Sequence, residues 1–77
     1  MSEYTIQLTD MEQIRAFCEI ARKYPFKIEF LADRYKIDAK SMMGIFSLDL
    51  SHPLTLEVHQ DAPVEFEREI EPFLIKE

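Results

Sequence analysis

The side chains able to do covalent or metal chemistry are few, and their spacing limits what that chemistry could be. The two histidines are His52, directly before Pro53, and His59, followed by Gln60 and Asp61. They stand seven residues apart with no cysteine and no third ligand clustered beside them, which is poor spacing for a zinc site, so both read as solvated surface residues. Cys18 has no nearby histidine in sequence to activate it and falls within a helical pattern, which fits a buried structural thiol rather than a nucleophile. Glu67 and Glu71 lie one helical turn apart, but nothing around them suggests the burial that would raise a carboxyl pKa for acid–base work. No metal, cofactor or catalytic residue is expected, and the chain does not read as an enzyme.

The stretch Lys40-Ser41-Met42-Met43-Gly44-Ile45-Phe46-Ser47-Leu48 stands apart, because it holds the single glycine and two of the four methionines. Ser41 suits the N-cap of a short helix whose first turn is Met42 to Ile45 and which ends near Leu48. The apolar positions 42, 43, 45, 46 and 48 are too many for one buried face, so some must reach the surface, where flexible thioethers make an adaptable docking patch.

Elements that would position these residues follow from hydropathy period. Tyr4, Ile6 and Leu8 alternate with Thr5 and Gln7 as a first strand. A helix follows, capped either by Thr9 paired with Glu12 or by Asp10 paired with Gln13. Its apolar stripe is Met11, Ile14, Phe17, Cys18 and Ala21, its last turn carries Arg22 and Lys23, and Pro25 stops it. Phe26, Ile28 and Phe30 form a second strand, and a turn at Ala32-Asp33-Arg34 leads into a short third strand from Tyr35 to Asp38. After the Ser41 helix, Leu54, Leu56 and Val58 form a fourth strand with Pro53 at its start. Asp61 is expected to cap a last helix with Pro63 in its first turn, Phe66, Ile70, Phe73 and Leu74 inside, and Glu65, Glu67, Glu69 and Glu71 outside. Pro72 should kink or end that helix near Glu71. The order β-α-β-β-α-β-α predicts an α+β open-faced sandwich: a four-stranded antiparallel sheet with three helices on one face. Thr5, Gln7, Lys27 and Glu29 are polar enough to leave the other face in water, so a monomer suffices.

Length and charge narrow the function. A chain of 77 residues, with six phenylalanines and three tyrosines, can build one compact core. A formal net charge of −6, from 15 acidic and nine basic residues, works against nucleic-acid binding. There is no apolar run long enough for a membrane span, no signal-peptide pattern and only one cysteine, so a cytoplasmic location is expected, with no membrane partner.

The Lys40–Leu48 stretch resembles the serine-centred segment of HPr, the histidine-containing phosphocarrier of the bacterial sugar phosphotransferase system, which typically reads Lys-Ser-Ile-Met-Gly-Val-Met-Ser-Leu. The similarity runs without gaps from about Phe26 to His59 and more loosely to Leu74. It implies a single HPr-like domain over residues 1–77. HPr proteins carry the phosphoryl group on a histidine at the start of the first helix, in a Gly-x-His-Ala-Arg-Pro motif, whereas here no histidine precedes residue 52. Aligned from the first strand, the acceptor position is Gln13 and the motif arginine is Arg15; aligned backwards from Lys23-Tyr24, the acceptor position is Asp10. An amide is too poor a nucleophile for that relay; an aspartate can form an acyl phosphate, but Asp10 is also a good helix cap.

In many HPr proteins of Gram-positive type, the matching serine is phosphorylated by a dedicated kinase, and the phosphoform docks on a transcriptional regulator. Catabolite-repression HPr homologues keep that serine without the histidine, and this chain looks similar. The resemblance implies a non-catalytic regulatory or interaction module with a phosphorylation site at Ser41. Met42, Met43 and Phe46 match the partner-binding apolar positions, and Arg15 is an anion contact in the first alignment. The implied partners are proteins: components of the phosphotransferase system, a serine kinase or a transcriptional regulator. The alternative is a phosphocarrier component using an unconventional acceptor, Asp10 or His59.

Overall fold

A computed structural model of the chain describes residues 1–75, and the last two positions of the expected 1–77 domain lie outside the described residues. The elements run β1 (Ser2–Ile6), α1 (Met11–Arg22), β2 (Ile28–Ala32), β3 (Tyr35–Asp38), α2 (Met42–Phe46), β4 (Leu54–Val58) and α3 (Val64–Ile70), followed by a 3-10 turn at Glu71–Phe73. The strands form one antiparallel sheet in the order β1-β4-β2-β3. The helices cover one face of it, which is the open-faced sandwich that the periodicity predicts.

Alternation along the strands assigns the two faces. Ile6, Ile28, Phe30, Leu54, Leu56 and Val58 turn inward and are buried, and they meet Ile14, Phe17, Cys18 and Ala21 of α1, Ile45 of α2, and Phe66 and Ile70 of α3. Aromatic rings tie these layers together. Phe17 lies 5.3 Å from Phe30 and 5.4 Å edge-on from Phe73, and Phe66 meets Tyr24 and Phe26 edge-on at 5.2 and 5.7 Å. The outer edge of β1 is covered by the C-terminal segment, where Leu74 bridges Ile6 and Ile75 donates its N–H to Thr5 O at 3.0 Å. The opposite edge, β3, is four residues long and carries Lys36, features that discourage pairing with another strand.

Some local expectations need correction. The first strand stops at Ile6 rather than Leu8, although Leu8 stays buried, and Phe26 precedes β2. Met11 is 59% exposed instead of joining the α1 stripe: it is the first helical residue, a turn short of Ile14, where the buried stripe begins. Asp61 does not cap α3. Pro63 is itself the N-cap in an extended conformation, and a proline there forces the preceding residue out of the helical region, so no helix can begin within reach of Asp61. Pro72 acts as expected: the α-helix ends at Ile70 and the chain tightens into the 3-10 turn.

Candidate functional site

Helix α2 follows from its own sequence. Ser41 caps it, with Oγ accepting the Gly44 N–H at 3.1 Å, and Ser47 closes it by donating its hydroxyl to Gly44 O at 2.6 Å. Gly44 is required by a close approach rather than by backbone conformation: a Cβ there would stand 2.7 Å from Ile37 Cγ2, so α2 rests directly on β3. Ile45 faces the core, and Met42 is half-buried against it. Met43 is 82% exposed and Phe46 is 44% exposed. Leu48 also packs against the core, so the surplus of apolar positions resolves into three inward side chains, Met42, Ile45 and Leu48, and two outward ones, Met43 and Phe46.

The approach to α2 is pinned to α1. Lys40 O accepts both the Cys18 thiol at 3.2 Å and Arg22 Nε at 2.9 Å, while Lys40 Nζ donates to Tyr24 O at 2.6 Å. Burial pushes the Cys18 thiol pKa up, so little thiolate forms and the sulfur acts as an interhelical tie, as expected of a structural cysteine. The guanidinium brought beside the Ser41 end of α2 is therefore Arg22. Arg15 is exposed on α1, seven positions earlier in the helix and so about 10 Å further along its axis.

At the start of α1 the structure chooses between the two caps. Asp10 Oδ1 accepts the Gln13 N–H at 2.9 Å, and Gln13 Oε1 accepts the Thr9 N–H at 2.8 Å and the Thr9 hydroxyl at 3.0 Å. Asp10 and Gln13 thus brace the start of α1 together, Asp10 capping the Gln13 amide and Gln13 reaching back to Thr9, the residue before the cap. Neither is an imidazole. His52 is exposed in the α2–β4 loop, 3.4 Å from Asp49, whose carboxyl is held below its usual pKa by the Ser51 hydroxyl and amide.

His59 is not the solvated residue the sequence suggests. On the open face of the sheet its Nε2 lies 2.8 Å from Glu29 Oε1 and 3.6 Å from Glu57 Oε1, with the imidazole only 26% exposed. The sequence signal for this cluster is the outward parity of positions 29, 57 and 59, but only the β2–β4 register, which sets Glu29 directly opposite Glu57, brings it together.

This fold and this paired-helix surface define a class, the HPr-type open-faced sandwich. The sequence matches no protein-family model and no curated protein. Among solved structures, HPr-C-His from Thermoanaerobacter tengcongensis superposes with a TM-score of 0.75 at 28% identity, over 94% of this chain and 89% of that one. The histidine-containing phosphocarrier protein of a mycoplasma gives a TM-score of 0.71 at 14% identity, over 92% of this chain and 89% of that one, a likeness of fold alone. Among the described residues no helix is long and apolar enough to cross a membrane.

Proposed function

We propose that this chain, as a single domain over residues 1–77, is an HPr-like regulatory or interaction module that performs no phosphoryl relay. It engages a protein partner through α2 and the start of α1, with Met43 and Phe46 as apolar anchors, Met42 supporting them from beneath and Arg15 offering a cation at the rim. The observation that carries the reading is Met43: an 82% exposed thioether two positions from the fully buried Ile45, and so on nearly the opposite side of the same helix. Of the two residues that alignment offers for the acceptor position, Asp10 and Gln13, the carboxylate of Asp10 is committed to the Gln13 amide and the Gln13 side chain to Thr9, and His59 lies on the sheet face away from the helices. Both placements favour interaction over relay.

Ser41 is the regulatory site of this proposal. A phosphate there would bring close to two negative charges to backbone amides at the start of α2, with Arg22 hydrogen-bonded to the carbonyl of the preceding residue. Incubation with phosphoenolpyruvate and the first enzyme of the sugar phosphotransferase system should leave the chain unlabelled; transfer would overturn the non-relay reading. A serine kinase of that system with ATP should label the wild type and not Ser41→Ala. Recovery of a phosphotransferase-system protein or a transcriptional regulator should be lost in Met43→Glu, and retention would remove α2 as the docking surface.

A further inference from the structure

We propose that Glu29, Glu57 and His59 form a binding site for a zinc-like divalent transition-metal ion on the open face of the sheet. The site is independent of the helix surface and of any role for Ser41. One ligand atom from each of the three residues lies within 4.8 Å of the other two. Donors at about 2.1 Å from a tetrahedral zinc stand about 3.4 Å apart, and the separations from His59 Nε2 to Glu29 Oε1 and Glu57 Oε1, 2.8 and 3.6 Å, bracket that value. A modest spreading of side chains would admit the ion, and water would reach a fourth position beside the imidazole, the most exposed of the three side chains at 26%.

The backbone holds this arrangement before any ion arrives. Glu29 and Glu57 are paired across β2 and β4, and His59 continues the ladder through its N–H to Lys27 O at 3.0 Å. The site also carries an unfavourable charge pattern. Glu57 stands opposite Glu3 on one side and Glu29 on the other, and Glu29 stands opposite Asp38, so four carboxylates cross the sheet in one row. Directly opposed like charges destabilise a sheet. Glu57 is nevertheless only 8% exposed, and the Glu29 side chain only 12%. Lys36, 3.1 Å from Glu57, and Lys27, 3.7 Å from Glu29, offset part of this charge, yet both lysines are half-exposed or more and can swing into water. A divalent ion bonded to both carboxylates and the imidazole neutralises the centre of the row more compactly. The imidazole selects zinc-like ions over magnesium, which prefers oxygen donors and retains its water.

Titration of the full chain with zinc chloride, followed by calorimetry and by the melting temperature, tests the site. Saturable binding of a single equivalent with a rise in melting temperature is expected, undiminished by excess magnesium. His59→Ala and Glu57→Gln should each weaken binding by about tenfold or more, since loss of a direct ligand costs at least as much as loss of its supporting partner. Lys36→Met removes the competing ammonium and should tighten binding, an outcome that an ion-pair network alone would not produce. His52→Ala should bind as the wild type does. Should a variant fail to fold, the imidazole resonances of the unaltered chain decide: zinc should shift those of His59 and spare those of His52. Absence of saturable binding, equal competition by magnesium, or shifts confined to His52 would overturn the proposal.

Discussion

The two faces of the sheet are built on different terms. The covered face is apolar and layered, with Phe17, Phe30 and Phe73 stacked through α1, the sheet and the closing turn. The open face puts Glu3, Glu57, Glu29 and Asp38 in one row, offsets part of their charge with Lys27 and Lys36, and sets His59 against Glu29. Burial of apolar area sets the first and has no directional demand, so sequence period alone finds it. The second depends on which residue faces which across three strand pairs. Stability should therefore reside on the covered face, and ligand chemistry on the two exposed surfaces, α2 and the open face.

Truncation at the covered face is the strongest way to break this contrast. Phe17→Ala removes a fully buried ring that contacts two others and should cost about 3–5 kcal/mol in urea unfolding, a large share of the stability of a chain of this size. Glu57→Gln on the opposite face loses the Lys36 pair but relieves repulsion from Glu3 and Glu29, so its unfolding free energy should stay within about 1 kcal/mol of wild type. A cost for Glu57→Gln near that of Phe17→Ala would mean that the open face is itself part of the structural core.

An intermediate effect is expected where α2 meets β3. Gly44→Ala would gain helix propensity, but its methyl must share space with Ile37 Cγ2 at 2.7 Å, on a β-branched side chain with little room to give. The net result should be a loss of about 1–3 kcal/mol by denaturant unfolding. Ile37→Ala should make the same glycine substitution nearly harmless, and additive costs in that double variant would contradict a steric cause.

How much of this was readable in the chain depended on the range of the interaction. The element order and the α+β class follow from local periods, as in Leu54-Thr55-Leu56-Glu57-Val58, and the surplus of apolar residues around Gly44 correctly implied an exposed patch. The choice of cap between Thr9 and Asp10 was open because the two candidate pairings are offset by a single residue, and the fold settles it through Gln13. Which of Met42, Met43 and Phe46 would be exposed was not legible, since that depends on the rotation of a five-residue helix set by contact with Ile37. His59 was misread as solvated because its partner Glu29 is thirty positions away and reaches it only through the β2–β4 register.

A smaller effect concerns the cap of α2. Ser41→Ala leaves the Gly44 N–H without its side-chain acceptor and should cost about 1 kcal/mol, whereas Ser41→Asp keeps an acceptor at that place and should lose little. A comparison of urea midpoints for the two variants separates the capping role of Ser41 from any regulatory one: a docking change in Ser41→Asp at unchanged stability belongs to charge alone.

The smallest expected effect is alkaline, and it probes the seam between α3 and the rest of the covered face. Burial, followed by the hydroxyl's hydrogen bond to Glu67 at 2.8 Å, raises the Tyr4 pKa to about 12. The hydrogen bond from Tyr24 to Glu69 at 2.5 Å, followed by burial, raises the Tyr24 pKa to about 12 as well. Both native values exceed the unfolded value of about 10, so the folded state holds these protons more tightly than the unfolded chain does. Their contribution is complete below pH 10 and is lost as pH rises from about 10 to 12, where the unfolded chain sheds its protons first. Urea midpoints should accordingly fall across that window. Tyr4→Phe and Tyr24→Phe should each flatten the fall while lowering stability slightly at neutral pH. A double variant that still declines as steeply as the wild type would place the alkaline sensitivity elsewhere and detach α3 from this account of the covered face.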